Sequence, residues 1–483
     1  MKLKELTLGP IVGETTPHRT RIWGRGDAHI IENNPRRCFG AIRFRKSGTK
    51  QWQKHQIIKM NPNFDLTGVA ILDGLEPETR YDYQFGYFFS DAELADADFA
   101  ESEWSDADNS SFLTASKNDR KSRTLVIGSC RYLLKTFLGS FFDNRGDKTF
   151  RSILEQISGG MEIHQLIMMG DQIYADDLNA VNPDKTIDQF YQRYRDVFGQ
   201  AYIRQLMSCV PTYMTLDDHE IEDNWPSKAS EKDWKTLFPV AIHAYQTYQS
   251  SHSPAIPIKN GKLEGTPKKL WYSYTDGCCD VFVTDSRTER YLSNGNREMI
   301  SAEQMRALKR WLADPSGRVK IIVTSVPFVP DSEGESSDKW SGFKKQREEL
   351  LGHIEKNRIK RVVFFSGDVH ASMSLELISP SKLKILSVIS SAFFWPYPHP
   401  SARHFKTKGT IDGGKAGIFH LSNASRVISD DNFTRLNIDL NGIAVDIFER
   451  KGKRKLHKEH RFEARTPVGI SEKRNKRMPN PPK

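Results

Sequence analysis

The chain has 483 residues, 37% of them hydrophobic and 11% aromatic, which exceeds one small domain and supplies material for a sizeable core. No run approaches the ~20 apolar residues of a membrane span, and five irregularly spaced cysteines (Cys38, Cys130, Cys209, Cys278, Cys279) argue against a disulfide framework. The net charge of +10 gathers near the C-terminus, from Lys451 to Lys483, with no aromatic platform or nucleic-acid motif beside it. That block reads as a solvated extension, so no stable nucleic-acid partner is expected. A nucleic-acid-binding protein acting through the tail is the rival from another class. The N-terminus, Met1-Lys2-Leu3-Lys4-Glu5-Leu6, carries no apolar signal core and no twin arginine, which leads to the expectation of a soluble, cytoplasmic protein.

Residues 1–117 read as an all-β sandwich of fibronectin or immunoglobulin type. Short alternating segments at Arg19–Trp23, Ala41–Phe44, Gly68–Leu72 and Tyr81–Tyr87 are separated by turns rich in Gly, Pro and Asn. Asp91–Asp108 is expected to be an acidic surface loop and Lys117–Ser122 a linker. Residues 118–450 change character, strands now alternating with helices, the signature of α/β layering. Helices are predicted at Phe150–Ser158, Ile187–Phe198, Leu237–Tyr248 and Ser301–Leu312, and buried strands at Val281–Thr284, Ile321–Val326 and Ile385–Ile389. Leu436–Leu440 and Ile443–Phe448 form an expected hairpin about Asn441-Gly442, a two-residue turn signal. Residues 451–483 are left as the basic extension, partly disordered.

Four apolar, strand-like runs end in groups that bind metal or move protons. Leu125-Val126-Ile127 leads to Gly128-Ser129-Cys130, and Leu166-Ile167-Met168-Met169 to Gly170-Asp171-Gln172-Ile173-Tyr174. Tyr213-Met214-Thr215-Leu216 leads to Asp217-Asp218-His219-Glu220, and Val362-Val363-Phe364-Phe365 to Ser366-Gly367-Asp368-Val369-His370. Such continuous runs suit strands buried on both faces, and ligands in layered α/β folds sit beyond their carboxyl ends. Each residue alone has a plainer role, a strand-end Asp as a helix cap and a buried Cys as a small hydrophobe. Together they predict a dinuclear site in which Asp171 bridges two cations. Cys130, Tyr174 and His370 would complete one position, for which Fe³⁺ is the expected ion. Asp218 and Asp368 would complete the other, an oxygen-rich set that favours Ca²⁺, with Mg²⁺ or Mn²⁺ compatible and Zn²⁺ disfavoured.

The chain resembles the PhoD-like alkaline phosphatases, a branch of the metallophosphoesterases related to purple acid phosphatases. Gly170-Asp171-Gln172-Ile173-Tyr174 matches GDxxY in full. Asp217-Asp218-His219-Glu220 stands where the wider family has GNHE, and Gly367-Asp368-Val369-His370 where it has GHxH. Cys130 takes the place of the first Asp, and around Val323-Thr324-Ser325-Val326 no His stands where VxxH supplies one. The resemblance covers residues from about 7 to 450. It implies a four-layer α/β/β/α catalytic domain behind the N-terminal sandwich, and hydrolysis of phosphate esters at the metal pair. It implies His219 as proton donor to the leaving oxygen, while Asn224 and Arg287 or Arg290 are candidates to hold phosphate. A phosphodiesterase or phospholipase-D-like hydrolase on the same site is the nearest rival. A carbohydrate-binding role for the N-terminal strands lacks an aromatic platform.

Overall fold

In a computed structural model the chain is described over residues 2–462, apart from 32–33, 92–96, 134, 137–138, 141–144, 180–181, 294 and 334–337. Two sheets carry the catalytic half. The first has six strands in the order Thr212–Thr215, Gln165–Met169, Arg123–Gly128, Asn432–Ile438, Gly442–Glu449 and Arg454–Arg461. Its first three strands are mutually parallel and the remainder antiparallel. The second has eight strands, and at its centre Cys279–Val283, Val319–Val323, Val362–Ser366 and Lys384–Ile389 run parallel.

The period-2 alternation of side chains explains why the central strands carry apolar residues on both faces. Val126, Leu166, Met168 and Met214 point to one side. There they join Phe150 and Ile153 of the helix Asp147–Ser158, Phe190 and Tyr194 of Ile187–Phe198, and Leu206 of Ala201–Cys209. The intervening Leu125, Ile127, Ile167, Met169 and Tyr213 point to the other side, against Val281, Ile321, Val323, Val363 and Phe365 of the second sheet. Ile322, Val362 and Phe364 in turn face Met305, Leu308, Leu350 and Leu351 from the helices Ala302–Ala313 and Lys344–Lys356. With both faces covered, the strand ends are where polar groups can gather.

Several expected elements shift. The predicted helix at 237–248 begins earlier, spanning Glu231–Tyr245, because Ser230 and Asp233 cap it reciprocally; its last turn widens into a π turn over Gln246–Ser250. Ala201–Cys209 and Lys344–Lys356 were not predicted: the first is short, and the second is so charged that its apolar stripe is thin. The 436–448 hairpin forms, but its turn is longer than two residues, because the Asp439 carboxylate accepts the N–H groups of Asn441 and Gly442 at 2.6 and 2.9 Å. Basic residues placed in an extension beyond 450 instead include an edge strand, Arg454–Arg461, its charges facing water as edge strands require. The rest of the proposed tail, from residue 463, lies outside the described residues. Among the described residues no helix is long and apolar enough to cross a membrane.

Residues 2–113 form a sheet of five strands and another of three, with a common apolar cluster including Ile22, Ile42, Leu72, Tyr83 and Phe85. The three-stranded sheet docks closely on the catalytic half. A Cβ at Gly13 would lie 2.2 Å from the carbonyl oxygen of His252, so this approach requires glycine. Trp23 Nε1 donates to the Thr247 carbonyl at 2.9 Å. The buried Arg21 guanidinium donates to the carbonyls of Ser253 and Ile256 at 2.7 and 2.8 Å and pairs with Glu14 at 2.6 Å. Arg21→Leu strands Glu14 and both carbonyls, and is expected to destabilise the protein by about 3–5 kcal/mol. An unchanged denaturation midpoint, with unaltered proteolysis near residues 13–25, would show that this contact contributes nothing.

Candidate metal centre

The four strand ends meet at one place, and local backbone geometry turns their side chains inward. Cys130, Asp171, Asp368 and His370 all adopt left-handed conformations, with φ of 56°, 55°, 70° and 48°. Non-glycine residues seldom do so, and such positions cluster at functional sites. Gly170, at φ 97°, is required for a second reason: a Cβ there would stand 2.4 Å from the Asp217 Cβ.

Ligand atoms of Asp171, Asp218 and His219 lie within 4.8 Å of one another, as do those of Asp171, Asp217, Asp218 and Asp368. Asp171 belongs to both groups. Its Oδ2 accepts from Cys130 Sγ at 3.2 Å, while its buried Oδ1 has no hydrogen-bond partner. Tyr174 Oη lies 3.4 Å from His370 Nε2, and its ring stacks on His219 at 4.2 Å between centroids. The structure therefore brings together Cys130, Asp171, Tyr174, Asp218, His219, Asp368 and His370.

Burial disfavours every charge here. It pushes the Cys130 thiol up to about 12, helped by Asp368, and His370 down to about 3, helped by His219. It drives Tyr174, Asp171 and Asp368 well above their ordinary values, neighbouring acids adding to the effect. Such a pocket of neutralised acids and a neutral imidazole is unfavourable for anions alone and well matched to cations, which reverse the direction at each acid and favour the imidazole in the neutral form it already holds. The unpartnered Asp171 oxygen and the mixed S, N and O donors fit a metal pair.

Asp218 differs. Burial alone would raise it, but Arg287 and His219 hold it down to about 2. Burial likewise works against charge on His219, yet Asp218 and Asp176 raise it to about 10. His219 Nδ1 donates to the Asp176 carboxylate at 2.9 and 3.0 Å, which leaves Nε2 as the atom able to deliver a proton.

Arg287 and Arg290, the expected phosphate contacts, meet carboxylates in this structure. Arg287 is fully buried, and its guanidinium is taken up by Asp217, by Asp218 at 3.2 Å and by Asp338 at 2.5 Å. Arg290, also buried, pairs with Asp338 at 3.2 Å and donates to the Ser286 carbonyl at 2.9 Å. Three carboxylates thus surround Arg287, while Arg290 meets one carboxylate, one carbonyl and the Met299 sulfur at 3.4 Å. Asn224 is half-buried with φ 58°, and its backbone N–H donates to Asp218 Oδ2 at 2.6 Å, so main chain rather than side chain makes that contact.

Four contributors escaped the sequence reading. Asp217 accepts from Ser325 Oγ at 2.7 Å. Glu220 accepts the backbone N–H groups of Asp171, Gln172 and Asp217 at 3.0, 2.8 and 2.8 Å. Asp176 orients His219. Asp338 pairs with both Arg287 and Arg290. Asp217, Glu220 and Asp176 were flagged only by adjacency to the motifs; Asp338 carried no signal.

A family model described as PhoD-like phosphatase matches residues 135–393, more than half of the chain. The chain belongs to this family. The matched stretch holds Asp171, Asp218, His219, Asp368 and His370, and Cys130 lies just before it. Alkaline phosphatase D of Bacillus subtilis (strain 168) is 25% identical over 214 residues, which is 40% of this chain and 36% of that protein. The alignment thus spans about a third of that curated relative's length. A solved structure of PhoD superposes with a TM-score of 0.68 at 16% identity, covering 96% of this chain and 93% of that one. A purple acid phosphatase from yellow lupin (Lupinus luteus) seeds gives 0.57 at 14% identity, covering 93% and 73%. At these identities the likeness is one of fold. The mixed α/β architecture of this PhoD-like chain is shared with both.

If Arg287 balances buried carboxylates, Arg287→Met should lower stability by about 3–5 kcal/mol, because Asp217, Asp218 and Asp338 lose their common cation. A phosphate-gripping arginine would behave otherwise, raising KM with the thermal unfolding temperature unchanged.

Proposed function

We propose that this chain hydrolyses phosphate esters with the help of a pair of metal ions. One observation carries the reading: Asp171 presents an unpartnered, fully buried carboxylate oxygen to a cluster of acids too crowded to ionise together. Cys130, Tyr174 and His370 would hold one ion with Asp171, and Asp218 and Asp368 the other, with Asp217 Oδ2 also unpartnered beside it. The thiolate and phenolate donors support Fe³⁺ at the first position, and the all-carboxylate set supports Ca²⁺, Mg²⁺ or Mn²⁺ at the second. When bound, the ions supply Lewis acidity toward phosphoryl oxygen and lower the pKa of an attacking water. The reading includes a helix–sheet–sheet–helix catalytic domain over residues 118–450 with a β-sandwich over residues 1–117, which the apolar clusters on both faces of the two sheets support.

The protein's own groups then have defined tasks. His219, its Nδ1–H fixed by Asp176, holds a proton at Nε2 and passes it to the departing oxygen. Glu220 locks the Asp171 and Asp217 backbones in one frame, so the carboxylates keep their spacing when charge changes. Arg287 keeps Asp217 and Asp218 anionic. Trp395, stacked on the His370 ring at 3.8 Å, shields that imidazole and limits its rotation.

Asp171→Ala should abolish hydrolysis and lower metal content at both positions, since one carboxylate serves two ions; full metal content with near-normal turnover would sink the dinuclear reading. His219→Ala should retain metal yet slow turnover by roughly 10²–10⁴-fold for poor leaving groups. The penalty should shrink for p-nitrophenolate, which needs no proton. An equal loss for both kinds of ester would make His219 a ligand or phosphate contact instead.

A further inference from the structure

Beside the His370 edge of the centre lies an aromatic arc that the hydrolytic chemistry does not use. Trp395 stacks on His370, and Tyr397 meets Trp395 with ring centroids 5.1 Å apart. Tyr132 closes the arc, 5.9 Å from both Trp395 and Tyr397 and 5.0 Å from Tyr174. Tyr397 is 44% exposed, although most large aromatics in this chain are buried. Asp368 and His370 are themselves only half-buried, so the arc borders the open side of the site.

The sequence makes this surface stiff. Trp395-Pro396-Tyr397-Pro398-His399-Pro400 places proline at every second position, which fixes φ at each proline and confines the residue before it. Both ends of the hexapeptide are tied down. The Trp395 N–H donates to Asp431 at 2.9 Å, His399 Nδ1 donates to the His370 carbonyl at 2.8 Å, and Ser429 Oγ donates to the Pro400 carbonyl at 2.6 Å. A side chain that only shielded His370 would be covered, as Trp395 partly is. An exposed ring on a rigid, pinned loop beside a phosphate site is instead a preorganised stacking surface.

We propose that Tyr397 and Trp395 receive the organic part of the ester, and that the substrates this centre selects are nucleoside phosphates whose base stacks on the arc. This rests on the hydrolase reading above. The test compares AMP with ribose 5-phosphate on the metal-loaded full chain, because the two share the scissile bond and the leaving 5′ oxygen and differ at the base. The expected kcat/KM for AMP is about 10- to 100-fold higher, mostly through KM, as one base–aromatic stack allows. Tyr397→Ala should narrow that ratio by about tenfold at the same metal content, and Tyr397→Phe, which keeps the ring, should preserve it. A wild-type ratio near or below one, or a ratio that Tyr397→Ala leaves intact, overturns the proposal. Hydrolysis of bis(p-nitrophenyl) phosphate with neither AMP nor ribose 5-phosphate consumed also overturns it, while the hydrolase reading stands. Failure on every ester overturns both.

Discussion

The constraint on which the site depends is the burial of several carboxylates within a few ångströms of one another. Asp171, Asp217, Asp218 and Asp368 present oxygens within 4.8 Å, and the cation placed to serve them is Arg287, in contact with Asp217 and Asp218. Removing an anion from water costs several kcal/mol unless a counter-charge stands close. Arg287 meets that demand on one side, which is why Asp218 stays anionic while Asp171 and Asp368 are driven the other way. The uncompensated side is where Cys130, Tyr174 and His370 gather. Arg287 is thereby tied to the charge balance of these carboxylates, which is the contact this structure gives it.

Holding acids against their mutual repulsion needs a rigid frame, and the backbone supplies it at a cost. Left-handed conformations at Cys130, Asp171, Asp368 and His370 each cost of order 1–3 kcal/mol in non-glycine residues. Cross-ties between strand ends offset this. The Cys130 N–H donates to the Gly170 carbonyl at 3.2 Å and the Arg131 N–H to the Asp171 carbonyl at 2.8 Å. The Gly367 N–H reaches the Ser325 carbonyl at 2.9 Å, and the His370 N–H reaches Ser391 Oγ at 3.0 Å. Each tie joins two different strand ends or loops, so no ligand loop is positioned by its own sequence alone.

That interdependence explains what could be read in advance. The strand ends were legible because strands buried on both faces are rich in apolar residues, and the runs give way to glycine and acid at Met169-Gly170-Asp171 and Phe365-Ser366-Gly367-Asp368. The helix Ile187–Phe198 was legible to the residue, since Thr186 caps it and Gly199 follows it. The ion pairs of Arg287 were not legible, because Asp-Ser-Arg gives no sign of which carboxylates a guanidinium will meet; its partners come from residues about 50 and 70 positions away. Trp395 and Tyr397 carried no signal in the sequence, because the stack of Trp395 on His370 and of Tyr397 against Trp395 is a tertiary fact. The strand Arg454–Arg461 was read as a tail because an edge strand facing water is allowed the same charges as a disordered one.

Glu220 shows why the pattern GDxxY followed by DDHE belongs together. Its buried carboxylate accepts from the backbones of Asp171, Gln172 and Asp217 and from Gln249 Nε2 at 3.0 Å, and burial raises it to about 7. It touches no substrate position; it fastens two strand ends to each other. A frame assembled from backbone donors and one shared acceptor does not depend on which donor atom each ligand residue offers. The frame therefore tolerates Cys130 where the wider family has aspartate, Asp218 where it has asparagine, and Asp368 where it has histidine. What those replacements alter is the field inside the frame: a sulfur stands for a carboxylate oxygen at Cys130, a charged oxygen for a neutral amide at Asp218, and an oxygen for a ring nitrogen at Asp368.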